Sequence, residues 1–198
     1  MPSKLVGLIA ATYTPLHRDG SLNLDPIPGM VDHLLESGVS GLYVCGSTGE
    51  GVSLTSDERR SVAEAFTAAA NKRVPVVVQV GHNSVAEARG LAAHAQEIGA
   101  DVISATCPSY FKVGNISALV DCMSEVASGA PELPFYYYHI PILTGSTIDM
   151  AGFLRQASER IPNLHGLKYT APLLHEYQAC LRLDTDVLTW SGAQTKCC

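Results

Sequence analysis

Continuous apolar runs recur along this chain about every thirty residues, and a stretch of helical periodicity separates each run from the next. The runs lie at residues 5–11, 39–45, 74–80, 101–107, 135–140 and 187–190, with a shorter one around Lys168. They are rich in Val, Ile, Leu and aromatic residues and do not alternate with polar ones, as expected of strands covered on both faces. Between them, residues 27–37, 55–72, 84–98, 117–128, 149–158 and 173–182 place their apolar side chains at helical spacing. Gly38 and Gly99 are suited to closing helices, and Thr55-Ser56-Asp57-Glu58 and Ser84-Val85-Ala86-Glu87 both have the form of a capping box.

Seven strands alternating with six helices call for parallel βαβ units. An open doubly wound sheet would satisfy that pattern, but no GxGxxG follows the first strand. Polar candidates instead sit at the carboxyl ends of five strands, the face on which barrels build their sites. The expected fold is therefore α/β, a TIM (β/α)8-type barrel, but such a barrel has eight strands and this chain supplies seven, so it either closes abnormally or is incomplete. Residues 1–192 are expected to form this single domain, and residues 193–198 a divergent tail. In such a fold the first and last strands each keep an unpaired edge, and the flanking helices lose part of their apolar cover.

The net charge of −6 and the absence of any Lys/Arg run among 13 basic residues argue against a nucleic-acid partner and for a small-molecule substrate. No apolar run reaches the roughly 18 residues that cross a bilayer, and Met1-Pro2-Ser3-Lys4 opens no hydrophobic leader, so a cytoplasmic location is expected and no membrane partner. Six scattered cysteines without CxxC spacing or a nearby His pair read as reduced thiols, and no metal is expected.

The chemistry concentrates at strand ends. Lys168 lies in Gly166-Leu167-Lys168-Tyr169-Thr170, where burial beside apolar neighbours would free its amine as a nucleophile for a carbonyl carbon. Tyr138, in Phe135-Tyr136-Tyr137-Tyr138-His139-Ile140-Pro141, would place a phenol nearby as a proton shuttle. The same residues also fit a lysine that snorkels to water and a tyrosine run that fills core. Gly46-Ser47-Thr48-Gly49-Glu50-Gly51 has the glycines and hydroxyls of a carboxylate cradle, without the spacing or lysine of a nucleotide loop; an ordinary glycine-rich turn fits too. His82 follows the third run as either a base or a loop residue, and Tyr110 brings another phenol to the same end of the sheet.

Together these segments resemble the N-acetylneuraminate lyases, the sialic acid aldolases of the dihydrodipicolinate synthase superfamily. The Gly46-to-Glu50 stretch is similar to the family's GSTGE loop, Tyr138-His139-Ile140-Pro141 to the YHIP form of its tyrosine motif, and the Lys168 segment to the one bearing the Schiff-base lysine. The similarity runs from residue 5 to about residue 192.

The resemblance implies that Lys168 and Tyr138 are catalytic, and that Ser47, Thr48, Thr170 and Gly192 bind substrate. Tyr110 matches a tyrosine found in some members only. It further implies class I aldolase chemistry that cleaves N-acetylneuraminate to pyruvate and N-acetylmannosamine with no cofactor, and a homotetramer of the family type. The family's acidic pair after the glycine matched by Gly192 is replaced here by Gln194 and Thr195. Two competing expectations follow: another pyruvate-dependent aldolase of the superfamily, or an inactive shortened form with at most a binding role.

Overall fold

A computed structural model describes residues 5–183 and the backbone of residues 188–191. Seven parallel strands occur in the order β1 (Ile9–Ala11), β2 (Gly41–Val44), β3 (Val76–Gln79), β4 (Val102–Ala105), β5 (Phe135–His139), β6 (Leu164–Tyr169) and β7 (Leu188–Ser191). Each pairs with the next in sequence, so among the described residues β1 and β7 are the two edges of one curled sheet. The helices are α1 (Ile27–Glu36), α2 (Ser56–Ala70), α3 (Val85–Glu97), α4 (Ile116–Ala127), α5 (Pro141–Thr144), α6 (Met150–Arg160) and α7 (Leu174–Leu181). This is the expected incomplete barrel, with one departure: α5 is a single turn inserted directly after β5, opened by Pro141 and closed by Gly145 in the left-handed region.

Alternate strand residues divide two interiors. Val76, Val78, Phe135, Tyr137 and Leu167 face outward into the core against the helices, where Val62, Phe66, Leu119 and Phe153 are fully enclosed. Tyr43, Val77, Val102, Tyr136 and Tyr138 face the opposite way and pack together inside the curl of the sheet. The tyrosine run is thus split: the Tyr137 ring lies 4.8 Å from Phe153 in the helix layer, while its neighbours on either side face inward.

The pairing of β5 with β6 carries an irregularity that matters to everything inside. Phe135 pairs with Leu164, but Tyr136 pairs with Gly166, so His165 is an extra residue on β6. The shift brings Tyr138 alongside Lys168. With regular pairing from Phe135, the partner of Tyr138 would be Leu167, an outward residue.

The first strand is shorter and more open than its apolar sequence suggests. Only three residues pair, and Val6 and Leu8 remain exposed, because an edge strand is supported on one side alone. The two capping sequences also part ways. Thr55 and Glu58 form a reciprocal box at the start of α2. At α3, Ser84 accepts from the Glu87 N–H, but the Glu87 carboxylate accepts from Ser56 Oγ at 2.8 Å and so ties α3 to α2. Among the described residues four cysteines are free thiols, of which Cys45, Cys107 and Cys180 are buried.

Arg59, in the first turn of α2, is only 2% exposed. Its guanidinium donates to the carbonyls of Gly81 at 2.9 Å and Gln79 at 2.6 Å and to Gln79 Oε1 at 2.8 Å, pinning the carboxyl end of β3. Replacing Arg59 with Met strands those buried acceptors, and we expect a loss on the order of 3 kcal/mol in urea unfolding relative to the parent chain.

Candidate active site

Lys168 occupies an inward position on β6, and the curl of the sheet brings it over two aromatic faces from different strands. Its Nζ lies 3.6 Å from the ring centroid of Tyr43 on β2 and 3.7 Å from that of Tyr138 on β5. The two rings stand nearly perpendicular, 5.8 Å apart at 82°, so the amine sits in a corner between phenol faces. Burial pushes the Lys168 amine down from its ordinary 10.5 to about 7.

Tyr138 is 3% exposed, and burial raises its phenol above the usual range. Hydrogen bonds with the side chains of Ser47 and Thr170 work against that rise. Through them the phenol connects the glycine-rich turn to the end of β6. Thr170 is itself held in place, its Oγ1 donating to the His139 carbonyl at 2.7 Å.

The glycine-rich turn begins where Cys45 leaves β2 in the left-handed region, at φ 58°. The chain then folds tightly back. The Gly51 N–H donates to the Gly46 carbonyl at 3.1 Å, and a β-carbon on Gly51 would stand 1.9 Å from the Cys45 carbonyl oxygen. One on Gly46 would meet the Tyr43 ring at 2.6 Å. Thr14, just beyond β1, donates to the Gly49 carbonyl at 2.7 Å and fixes the far side of the turn.

Four of the residues singled out in the sequence therefore converge: Lys168, Tyr138, Ser47 and Thr170. Thr48, in the same turn, is exposed. Tyr110 is 78% exposed on the loop after β4, its ring edge-on to Phe111 at 5.1 Å. Gly192, Gln194 and Thr195 lie outside the described residues. His82 is a turn residue, its Nδ1 accepting from the Ser84 N–H at 2.9 Å. No cluster of three His, Cys, Asp or Glu side chains that could hold a metal occurs among the described residues, and no helix among them is long and apolar enough to cross a membrane.

Sequence reasoning missed Tyr43, which touches the amine as closely as Tyr138 does. Its one signal was parity: an aromatic three residues before Gly46, on the strand that delivers the turn.

The dihydrodipicolinate synthetase family model matches residues 4–197. The N-acetylneuraminate lyase of Xenopus tropicalis is 44% identical over 180 residues, which make up 90% of this chain and 59% of that protein. The structure of Proteus mirabilis N-acetylneuraminate lyase superposes with a TM-score of 0.93 at 38% identity, covering 96% of this chain and 64% of that one. A third likeness is to YagE of E. coli K12, a prophage protein of the dihydrodipicolinic acid synthase family in complex with pyruvate, at TM-score 0.88 and 28% identity over 96% of this chain and 64% of that one. This chain thus spans less than two thirds of the length of these relatives.

The depressed amine has a stability consequence. The folded chain is penalised for carrying Lys168 charged; that penalty is absent above about pH 10.5, grows as the pH falls, and is complete below about pH 7. Lys168→Met should accordingly be more stable than the parent at pH 6.5, by on the order of 3–5 kcal/mol, with the gap closing toward pH 10.5 in urea titrations.

Proposed function

Because the chain belongs to the dihydrodipicolinate synthetase family, we propose that it is built for Schiff-base aldolase chemistry on an α-keto acid, with N-acetylneuraminate cleaved to pyruvate and N-acetylmannosamine. The observation that carries this reading is the Lys168 amine, titrating near 7 and set against the ring of a phenol that contacts Ser47 and Thr170.

Free Lys168 amine attacks the C2 ketone of the open-chain sugar acid, and loss of water gives an iminium cation. Cleavage then sends the C3–C4 bonding pair toward the iminium nitrogen, leaving an enamine on the lysine while the C4 hydroxyl gives up its proton and becomes the aldehyde. Tyr138 suits the relay of that proton: it stays neutral through the physiological range, and a hydroxyl can accept one proton while passing its own to a bonded neighbour. Returning a proton to C3 and adding water to the imine releases pyruvate and restores the amine. The iminium itself serves as the electron sink.

The Ser47 hydroxyl and the backbone of the glycine-rich turn would hold the substrate carboxylate, with exposed Thr48 approaching from the solvent side. Thr170, at the end of β6, would face the sugar chain. Similarity to the N-acetylneuraminate lyases favours sialic acid over other sugar acids, as does the pairing of Tyr138 with His139. A homotetrameric assembly rests on the same resemblance.

Borohydride added with pyruvate should fix a stable adduct on Lys168, located by peptide mass, and Lys168→Ala should take up none; adduct on that variant would overturn the assignment. With cyanoborohydride, adduct formation should rise about tenfold per pH unit below 7 and level off above it, following the free amine. Tyr138→Phe should still be trapped but release pyruvate from N-acetylneuraminate about 10²–10⁴-fold more slowly in a coupled dehydrogenase assay.

A further inference from the structure

Tyr43 has no part in the proton and carbon chemistry above, yet it is fixed from three directions at the point where the amine must sit. Its hydroxyl donates to Ser104 Oγ on β4 at 3.1 Å, with both side chains buried. Gly46 packs against one side of the ring so closely that no β-carbon fits between them. The ring face carries the Lys168 nitrogen 3.6 Å from its centroid. A phenol recruited merely to fill space would need neither the hydroxyl anchor nor an unhindered face presented to an amine.

We propose that Tyr43 is a positioning residue for the nitrogen of Lys168, its ring face holding that nitrogen in its cationic forms, first the ammonium and then the iminium made with the keto acid. The inference rests on the Schiff-base reading for the second form but not for the first. A ring face attracts a cation and leaves a neutral amine indifferent, so it offsets part of the cost of burial and holds the nitrogen in place while it carries charge. Tyr138 must exchange protons and contact Ser47 and Thr170; Tyr43, tied to Ser104, is free to remain still.

Among the described residues, the titratable and charged groups around this corner are the phenols of Tyr43 on β2 and of Tyr136 and Tyr138 on β5, with the Arg59 guanidinium of α2 acting electrostatically on Tyr43. Burial raises all three phenols, Tyr136 to about 12, so none changes charge between pH 5 and pH 9. A titration observed on the amine over that range is then its own.

The test compares Tyr43→Phe, which keeps the face and loses the hydroxyl, with Tyr43→Leu, which loses the face. Two readouts are taken between pH 5 and pH 9: the rate of Lys168 acetylation by trace acetic anhydride without pyruvate, and adduct formation with pyruvate and cyanoborohydride. We expect the Phe variant to keep the parent midpoint, and the Leu variant to titrate about half to one pH unit lower. Fluorinated phenylalanines at position 43 preserve shape while draining the face of negative charge; they should lower the midpoint stepwise, and they serve if the Leu variant does not fold. A flat fluorination series, or a Phe variant shifted as far as the Leu variant, overturns the role of Tyr43. Absence of pyruvate adduct on the parent chain, with the acetylation shift intact, overturns the Schiff-base reading and leaves the hold of Tyr43 on the amine standing.

Discussion

The structure depends on keeping a primary amine out of water without neutralising it by a carboxylate. An isolated buried ammonium is costly, and burial presses Lys168 toward the uncharged amine near neutral pH. Two phenol faces stand where an acid would otherwise be expected. A carboxylate there would stabilise the ammonium and hold the amine in its unreactive form, whereas aromatic faces attract the cation more weakly and leave the proton removable.

That corner exists because two periodicities agree. Along each strand, alternate side chains serve the helix layer and the inside of the sheet, so Tyr43, Tyr138 and Lys168 all lie on the inner face. Across strands, the extra residue His165 shifts β6 by one position against β5, placing Lys168 beside Tyr138. A single inserted residue thereby decides whether amine and phenol meet or face different layers. The outward half of the same strands, Tyr137 and Leu167 among them, is packed into the helix core and holds the register against slippage.

The glycine-rich turn and Arg59 address the neighbouring strand ends. Cys45 and Gly51 force a tight return after β2, and Gly46 seats the turn against the Tyr43 ring. Arg59 reaches from α2 to the carbonyls at the end of β3 and pins that strand end to the helix. The glycine-rich turn and the Tyr43 ring are therefore packed directly against each other.

The alternation of apolar runs with helical stretches was enough to determine parallel βαβ units and seven strands, because burial on both faces is written directly into composition and period; the barrel came instead from the missing GxGxxG and the polar residues at the strand ends. Lys168, Tyr138 and Ser47 were legible as candidates from residue type and position at strand ends. What the sequence could not determine was which side chains meet. The bulge at His165, the diversion of Glu87 from its own helix cap to Ser56, and the placement of Tyr43 under the amine all depend on contacts between residues 29 to 125 positions apart. Such pairings leave no local signature, since each is settled by how the whole sheet curls rather than by the preferences of either segment.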